Sequence, residues 1–333
     1  MLDQERIFSV LELLNLLNQS NKIASKLLQS YYRSKKLIGS KDRRFISKSF
    51  WNIIRHRYKI NWHLNYLDID VTLEKEIILE LFFLNKDYCN NISKIKKLFI
   101  LKYKEIKTFN EVDFKFLNDL NFHEFYNKEM PEHIFYELPK YLLESLKKGF
   151  KNEWRDVALS LNEEGFFDIR VNTIKGKSRD DIYHLLKDLK VPFRLTKYSP
   201  LGIRFSKRFP IEGHKLFKKG CIEIQGEASQ LVALLLDAKP GMQVADVCSG
   251  AGGKSLILAD IMKNKGRILS LDTNKKRLLK AGLRLKRAGV HNVERRLVKP
   301  NWNVRGLEKK FDLVLIDAPC SGIGTWSRSP DSK

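Results

Sequence analysis

The sequence predicts a multidomain α+β chain with an all-helical N-terminal domain, a small α+β module and an incomplete doubly wound, Rossmann-like sheet. Three observations support this prediction. Apolar residues recur at helical spacing early in the chain, Pro131 and Pro139 interrupt that pattern, and strands and helices alternate from Gly241 onward. We therefore predict a helical domain at residues 1–130, a linker helix and small module at residues 131–230, and a cofactor-binding domain at residues 231–333.

The first domain is predicted from its helical periodicity. One apolar stripe comprises Ile7, Val10, Leu11, Leu14 and Leu17. A later helix is predicted to have Ser40 as its N-cap. Its basic residues form a candidate phosphate-binding face, with an ordinary solvated helix face as the alternative. These residues are Lys41, Arg43, Arg44, Lys48, Arg55 and Arg57.

The middle region carries the pattern of a small α+β module. Residues 167–172 alternate apolar and polar side chains, as a half-buried strand does. Residues 178–181 form a capping box that opens a helix, for which we predict a buried stripe of Ile182, Leu185, Leu186 and Leu189. Short strands at residues 202–205 and 221–224 and a helix at about 227–237 complete the region.

The last region has the order of a βαβ unit. We predict strands around residues 244–247, 268–271, 293–298 and 311–316, and helices around residues 255–262 and 277–287. Parallel strands joined in this way bind ligands at their carboxyl ends. The loops that follow these strands are therefore where a functional site is expected.

Composition favours a folded chain with a polyanionic partner. Hydrophobic residues make up 43% of the 333 positions, which is enough for packed cores. The 62 Lys and Arg residues outnumber the 39 Asp and Glu residues, giving a formal net charge of +23. Such an excess indicates RNA or DNA as a partner. An AT-rich coding sequence is the alternative explanation, because the chain is also rich in Lys, Ile and Asn.

The cysteines and the N-terminus predict a cytoplasmic chain without metal. Cys89, Cys221, Cys248 and Cys320 lie too far apart for a C-x-x-C metal site or an evident disulfide framework. Acidic residues precede the first apolar stretch, which is the wrong charge order for a secretory signal. No run approaches the roughly 18 apolar residues of a membrane span. The sequence leaves the oligomeric state open.

A glycine loop follows the first predicted strand of the last region and opens a helix, the context in which such loops bind cofactors. Its candidate cofactor-binding residues are Cys248, Ser249, Gly250, Ala251, Gly252, Gly253 and Lys254. Amides at the helix start face a negative group on the ligand. Asp272, at the end of the next strand, lies where an acidic residue accepts ribose hydroxyls. An ordinary tight turn and a dinucleotide dehydrogenase remain alternatives for this motif alone.

The second motif is Asp317-Ala318-Pro319-Cys320, at the end of the fourth predicted strand. Carbon 5 of cytosine is a poor nucleophile, so its modification requires a thiolate at carbon 6 and a group that holds the ring charge. A cysteine beside an aspartate supplies both. A small buried core cysteine is the alternative interpretation of Cys320.

Together these motifs resemble the Sun (RsmB/NOP) family of RNA cytosine-5 methyltransferases. Residues 39–44 are similar to part of the NusB-like domain of the bacterial rRNA members, and residues 170–173 and 224–230 are similar to stretches that flank the family's small RNA-binding module. Gly226 stands where the family usually has Asp, and the acidic residue expected near the adenine is not evident at residues 299–303.

The resemblance implies an RNA-binding transferase that uses S-adenosyl-L-methionine, held by residues 248–254, Asp272 and Asp317. It implies a cytosine in small-subunit rRNA as the substrate, and rRNA processing in the cytoplasm. Cys320 matches the family's accessory cysteine, which helps release the product. The family's main nucleophile is a second cysteine after the fifth strand, and no cysteine follows Cys320 up to Lys333.

We therefore expect this chain to be cut off before the class I methyltransferase sheet, which has about seven strands, is complete, leaving one sheet edge missing or open. A catalytically inactive RNA-binding remnant is the alternative function. A nicotinamide-dependent oxidoreductase is a further alternative. It would explain the glycine loop and Asp272, but it assigns no role to residues 317–320.

Overall fold

The computed structural model describes residues 1–20, 22–100, 114–120, 124–299 and 306–333. They form two compact units, one of Met1–Gly165 together with Gly322–Lys333 and the other of Phe166–Ser321. The division into three domains stays a prediction. Within the described ranges, no helix has the length and apolar character needed to cross a membrane.

The first unit is helical, as predicted. Ile7 and Leu14 on α1 pack with Phe50 and Ile53 on α3 and with Ile77 on α5 in one buried core. The predicted apolar stripes therefore face the interior. Among the described residues its helices are α1 (Asp3–Asn18), α2 (Ala24–Ser34), α3 (Ser40–Arg55), α4 (Arg57–Tyr66), α5 (Leu73–Phe83), α6 (Ile92–Ile100), α7 (Phe116–Asp119), α8 (Glu132–Phe135), α9 (Lys140–Phe150) and α10 (Trp154–Asn162).

Three helix starts differ from the sequence prediction or refine it. Ser40 is the first residue of α3 rather than its N-cap, and the extended Gly39 caps the helix without a side-chain hydrogen bond. Pro131 and Pro139 are the N-caps of α8 and α9. The prolines therefore begin new helices, which is compatible with their fixed φ and missing N–H.

The second unit begins with a four-stranded antiparallel sheet. Its strands are β1 (Phe167–Val171), β2 (Phe193–Leu195), β3 (Gly202–Phe205) and β4 (Ile222–Ile224), in the order β2-β3-β1-β4. The capping box is confirmed: Ser178 and Asp181 bond reciprocally at the start of α11 (Arg179–Leu185). Ile182 and Leu186 are buried, but Leu185 is 41% exposed, so the predicted stripe was too wide.

Strand β1 is buried along its whole length, and the prediction of a half-buried strand was wrong. Asp168 accepts hydrogen bonds from the Arg204 guanidinium at 2.7 and 2.9 Å. Arg170 donates to Asp260 at 2.9 Å. The polar side chains of β1 thus face charged partners instead of solvent, which offsets the cost of burying them.

The second sheet of this unit is parallel. Its strands are β5 (Gln243–Asp246), β6 (Arg267–Asp272), β7 (Val293–Leu297) and β8 (Leu313–Leu315), in the order β7-β6-β5-β8 among the described residues. Helices α12 (Lys215–Lys218), α13 (Glu227–Leu235), α14 (Gly253–Ile261) and α15 (Lys275–Ala288) complete the unit. The predicted Rossmann-like arrangement is confirmed. Strand β8 lies at one edge, and Ile316, just after it, is 66% exposed.

Candidate functional site

The glycine loop lies between β5 and α14, at the carboxyl edge of the parallel sheet. The Val247 N–H donates to the carbonyl of Leu315 on β8, and the Ser249 N–H donates to that of Leu271 on β6, both at 2.9 Å. The Gly252 N–H closes a tight turn on the Ser249 carbonyl at 2.9 Å. The two neighbouring strands thus fix the path of the loop.

Two glycines of the loop adopt a backbone conformation that other residues rarely reach. Gly250 has φ +56° and Gly252, the N-cap of α14, has φ +76°. A Cβ on Gly252 would lie 3.0 Å from the Ala281 side chain, whereas a Cβ on Gly250 would meet no described atom within 4 Å. The surface at Gly250 is therefore open to a ligand that approaches the backbone closely.

Asp272 ends β6, as predicted, and it also shapes the glycine loop. Its Oδ2 accepts the Gly250 N–H at 2.8 Å and its Oδ1 accepts the Asn274 N–H at 2.6 Å. Each carboxylate oxygen has a further lone pair, so the side chain retains capacity to accept hydroxyl groups. The structure thus brings together Asp272 and the loop that the sequence assigned to the same site.

A buried polar network lies next to this loop, and sequence reasoning missed it. Ser255 Oγ donates to Asp246 Oδ2 at 2.6 Å and contacts Ser270 Oγ at 2.7 Å. Within the part of the chain that the structure describes, Asp246 Oδ1 and Ser249 Oγ are buried without a hydrogen-bond partner. Burial raises the pKa of Asp246 above its usual value, and Asp317 adds to the effect. The sequence signal that could have revealed this network is Asp246, an acidic residue at the end of an apolar strand.

The two chemical motifs meet in an ion pair. Lys254, in the first turn of α14, contacts Asp317 after β8. Partial burial, followed by the charges of Asp272, Asp246 and Asp317, raises the pKa of the Cys248 thiol. Cys248 is therefore held as a neutral thiol at physiological pH and is poorly suited to act as a nucleophile.

Cys320 lies in the exposed segment that follows β8. The alternative interpretation as a buried core cysteine is therefore wrong. The neighbouring residues Asp317, Ala318 and Pro319 are exposed as well. The whole motif is accessible at the same edge of the sheet as the glycine loop.

The candidate phosphate-binding face on α3 is smaller than the sequence suggested. Arg55 is buried and donates to the carbonyls of Asn162, Glu163 and Ser327, at 3.0 to 3.2 Å. Arg57, in α4, forms a bidentate ion pair with Glu76 at 2.7 and 2.9 Å. The assignment to the face was wrong for Arg55, which is buried among these carbonyls, and the charge of Arg57 is already paired with Glu76.

The remaining basic residues of α3 differ in exposure. Lys41, Arg44 and Lys48 are exposed. Arg43 is half-buried, donates to the Ile38 carbonyl at 2.8 Å and lies over the Tyr32 ring. The accessible face therefore consists of Lys41, Arg44 and Lys48.

Two family descriptions match this chain. Residues 233–333 match the family described as 16S rRNA methyltransferase RsmB/F. Residues 138–212 match the ferredoxin-like domain described for RsmF/B-like methyltransferases. The first match contains the glycine loop, Asp272 and Cys320, and the second contains β1, β2 and β3.

Individual relatives agree with these matches. A Pseudomonas syringae protein named ribosomal RNA small subunit methyltransferase B is 30% identical over 199 residues, which are 59% of this chain and 43% of that relative. The chain thus spans less than half of that relative's length. A human protein named 28S rRNA (cytosine(4447)-C(5))-methyltransferase is 33% identical over 169 residues, covering 50% of this chain and 20% of the human protein.

A solved structure shares the fold. The crystal structure of a protein designated PH0851 superposes with a TM-score of 0.72 at 22% identity, covering 99% of this chain and 77% of the other. Residues 138–212 and 233–333 of this chain therefore correspond to two domains of the RsmB/F (Sun) family of rRNA methyltransferases, a family that uses S-adenosyl-L-methionine.

Proposed function

We propose that this chain provides the cofactor-binding part of an enzyme that methylates carbon 5 of a cytosine in small-subunit rRNA. The observation that carries the proposal is the ion pair between Lys254 and Asp317 beside the glycine loop. It joins the two motifs on which the resemblance rests, one for binding a cofactor and one for acting on cytosine. The setting that we propose is rRNA processing in the cytoplasm.

The loop is proposed to bind S-adenosyl-L-methionine, which supplies an electrophilic methyl group. Amides in the first turn of α14 have no partner within the helix and carry its positive dipole end, so they suit the carboxylate of the methionine part. Asp272 is proposed to accept the ribose hydroxyls. The open side of Gly250 and the unpartnered Ser249 Oγ, judged on the described residues, support this fit.

Asp317 is proposed to hold the target ring. The negative charge that develops on the ring when a thiolate adds at carbon 6 is offset by a proton on a ring nitrogen, and a carboxylate holds that proton in place by accepting its hydrogen bond. Lys254 fixes the orientation of Asp317 through their ion pair. Preorganised groups of this kind lower a reaction barrier because they need no reorganisation during the reaction.

Cys320 is proposed to be the accessory cysteine that helps release the product. It is exposed beside Asp317, as a group that contacts a bound substrate must be. The raised pKa of the Cys248 thiol makes that residue a poor substitute for a nucleophile. We therefore assign the nucleophile to a second cysteine, as the family resemblance implies.

The helical unit is proposed to bind the rRNA backbone through Lys41, Arg44 and Lys48. These side chains are exposed on one helix, α3, where phosphate contacts release condensed counterions. We also propose that this unit is the NusB-like domain of the family. Its helical core, whose buried residues run from Ile7 to Leu120 and so precede the ferredoxin-like match at residues 138–212, supports that proposal.

Transfer of labelled methyl groups to undermethylated small-subunit rRNA tests the proposed function. The chain is extended with the C-terminal segment of the Pseudomonas syringae relative, and incorporation at carbon 5 of cytosine is expected. Asp317→Asn should abolish it. Asp237→Asn is the matched control, since Asp237 is another exposed aspartate paired with a lysine, and it should leave incorporation unchanged.

The polypeptide of residues 1–333, assayed in parallel, should transfer no detectable methyl group. Removing a covalent nucleophile commonly costs several orders of magnitude in rate. Turnover by this polypeptide that Cys320→Ala abolishes would contradict the assigned roles and make Cys320 the nucleophile. RNA binding without turnover by the extended chain would instead favour a non-catalytic RNA-binding protein.

A further inference from the structure

The last strand of the antiparallel sheet, β4, is linked to the glycine loop by two side-chain connections. Glu223 on β4 bonds Arg284 on α15, and Arg284 Nη1 donates to the Ala251 carbonyl at 2.8 Å. Gln225, just after β4, donates through Nε2 to the Gly253 carbonyl at 3.2 Å. The loop that we propose to bind the cofactor is therefore held by residues of the neighbouring sheet.

Arg284 contacts both of its partners through different edges of one guanidinium group. Its Nε and Nη2 lie 3.3 and 3.1 Å from Glu223 Oε2, while Nη1 bonds the Ala251 carbonyl. The planar guanidinium presents its donors in a fixed fork, so one side chain can bridge two acceptors. A lysine ammonium in this position could not reproduce that bridge.

Glu223 is 1% exposed, so its carboxylate depends on protein partners. It receives Arg284 on Oε2 and Arg287 on Oε1. Charge-assisted bonds in a buried setting are directional and strong. The orientation of Arg284 is thus fixed from the side opposite to the loop.

The Ala251 carbonyl belongs to the same peptide unit as the Gly252 N–H. Arg284 holds the carbonyl end of this unit, and the Ser249 carbonyl accepts the N–H end at 2.9 Å. A peptide unit is planar, so bonds at both ends fix its rotation. Gly252 is the N-cap of α14, and this rotation therefore sets the direction of the first helical amides.

We infer that Arg284 is a positioning residue: oriented by Glu223, it fixes the Ala251–Gly252 peptide so that the loop amides face the cofactor. The cofactor part of this inference rests on the proposed function. Arg284 does not itself touch the cofactor in this account. The antiparallel sheet then stabilises the conformation of the glycine loop, in addition to forming its own module.

Arg287 offers a matched control for Arg284. Both arginines lie on α15, about three quarters buried, and both pair with Glu223. Arg287 packs over the Phe217 ring and has no recorded bond to the loop among the described residues. Arg284→Gln and Arg287→Gln therefore each remove one ion pair with Glu223, but only Arg284→Gln releases the Ala251 carbonyl.

The test measures two properties of the wild-type chain, R284Q, R287Q and R284K. Calorimetry should show S-adenosyl-L-methionine affinity reduced roughly tenfold in R284Q, the effect of about one hydrogen bond, and changed less than about twofold in R287Q. Amide hydrogen exchange without ligand should be faster at residues 248–254 in R284Q than in the wild-type chain, and unchanged there in R287Q. R284K should resemble R284Q, because it lacks the fork.

Equal effects of R284Q and R287Q on loop exchange, or no effect of either, would overturn the inference. Each variant loses one ion pair with Glu223, and thermal unfolding of both measures the stability lost for that reason. This loss can then be separated from an effect on the loop. If the wild-type chain bound no S-adenosyl-L-methionine while R284Q, but not R287Q, loosened the loop, the proposed function would fail and the positioning of the loop by Arg284 would stand.

Discussion

The carboxylate of Asp272 accepts the backbone N–H of Gly250 at 2.8 Å. The residue expected to bind a ribose therefore also holds the loop expected to bind the other end of the same cofactor. Asn274 donates to the second carboxylate oxygen at 2.6 Å, which fixes the side chain. Loss of this carboxylate should consequently weaken cofactor binding in two ways: it removes the acceptor for the ribose hydroxyls, and it releases the Gly250 N–H of the loop.

Asp272→Ala is expected to weaken S-adenosyl-L-methionine binding by about 1 to 3 kcal/mol, the range for losing a hydrogen bond to a charged acceptor. Calorimetric titration measures the effect. Asp312→Ala is the control, because Asp312 also accepts a backbone N–H, that of Gln243, at 2.7 Å. Gln243 lies at the opposite end of β5 from the glycine loop, so this variant should not affect the cofactor site. Equal affinities of the two variants would argue against a role of Asp272 in the site.

Asp260→Ala is expected to destabilise the second unit by about 3 to 5 kcal/mol, because it leaves the fully buried Arg170 without its ion-pair partner. Asp260 also accepts the Thr173 N–H and the Ile174 N–H at 3.1 Å. Urea unfolding measures the loss. The double variant Arg170→Met with Asp260→Ala should lose less than the sum of the single variants. Strict additivity would show that the pair is not coupled.

The stability of the helical unit should fall as the pH is lowered from about 6.5 to about 3. Burial first, and then the charges of Lys59, Lys333 and Arg55, lower the pKa of His56 from 6.5 to about 3. The unfolded chain therefore takes up a proton that the folded unit excludes, and stability is lost through this window at up to about 1.4 kcal/mol per pH unit.

His56→Phe should flatten this part of the profile. The ring would retain the edge contact of His56 with Phe125 and remove the titrating nitrogens. Unfolding monitored by helical circular dichroism at several pH values provides the measurement, with the exposed His291→Phe as a control. An unchanged slope in His56→Phe would assign the acid sensitivity to other groups.

RNA binding should depend strongly on salt. Each phosphate contact to single-stranded RNA contributes about −0.7 to the slope of log affinity against log salt concentration. Reversing the charges of three exposed α3 residues should therefore make the slope shallower by about 2. The variant carries Lys41→Glu, Arg44→Glu and Lys48→Glu.

Fluorescence anisotropy with an rRNA fragment at several salt concentrations measures this slope. A control with the same change in net charge carries Lys140→Glu, Lys148→Glu and Lys151→Glu, all exposed. Equal slopes for the two variants would remove α3 as a specific contact. If the affinity of the wild-type chain for RNA did not change with salt concentration, its excess of basic residues would be explained by an AT-rich coding sequence instead of by RNA binding.

The fold was predictable where its signals are local. Alternating strands, glycine loops and helices after Gly241 lie close together in sequence, so the parallel sheet followed from the pattern. The burial of Arg170 did not, because its partner Asp260 lies 90 positions away. Arg55 was misassigned for the same reason, since the carbonyls that bind it lie more than 100 positions further along the chain.

The site was predictable in its motifs but not in its supports. The glycine loop, Asp272 and Asp317 stand at strand ends, where the sequence pattern directs attention. Asp246 was overlooked because the sequence pattern places it within an apolar strand. Arg284 was overlooked because nothing in the sequence distinguishes it from the other basic residues of its highly charged helix. Their partners, Ser255 and Ala251, become evident only in three dimensions.

Calorimetric titration of the 333-residue chain with S-adenosyl-L-methionine and, separately, with NAD distinguishes a methyltransferase cofactor site from a nicotinamide site. We expect saturable binding of S-adenosyl-L-methionine that Asp272→Ala weakens, and no binding of NAD. Binding of NAD without S-adenosyl-L-methionine would contradict this expectation, because the glycine loop and Asp272 would then belong to a nicotinamide site and residues 317–320 would have no part in the chemistry.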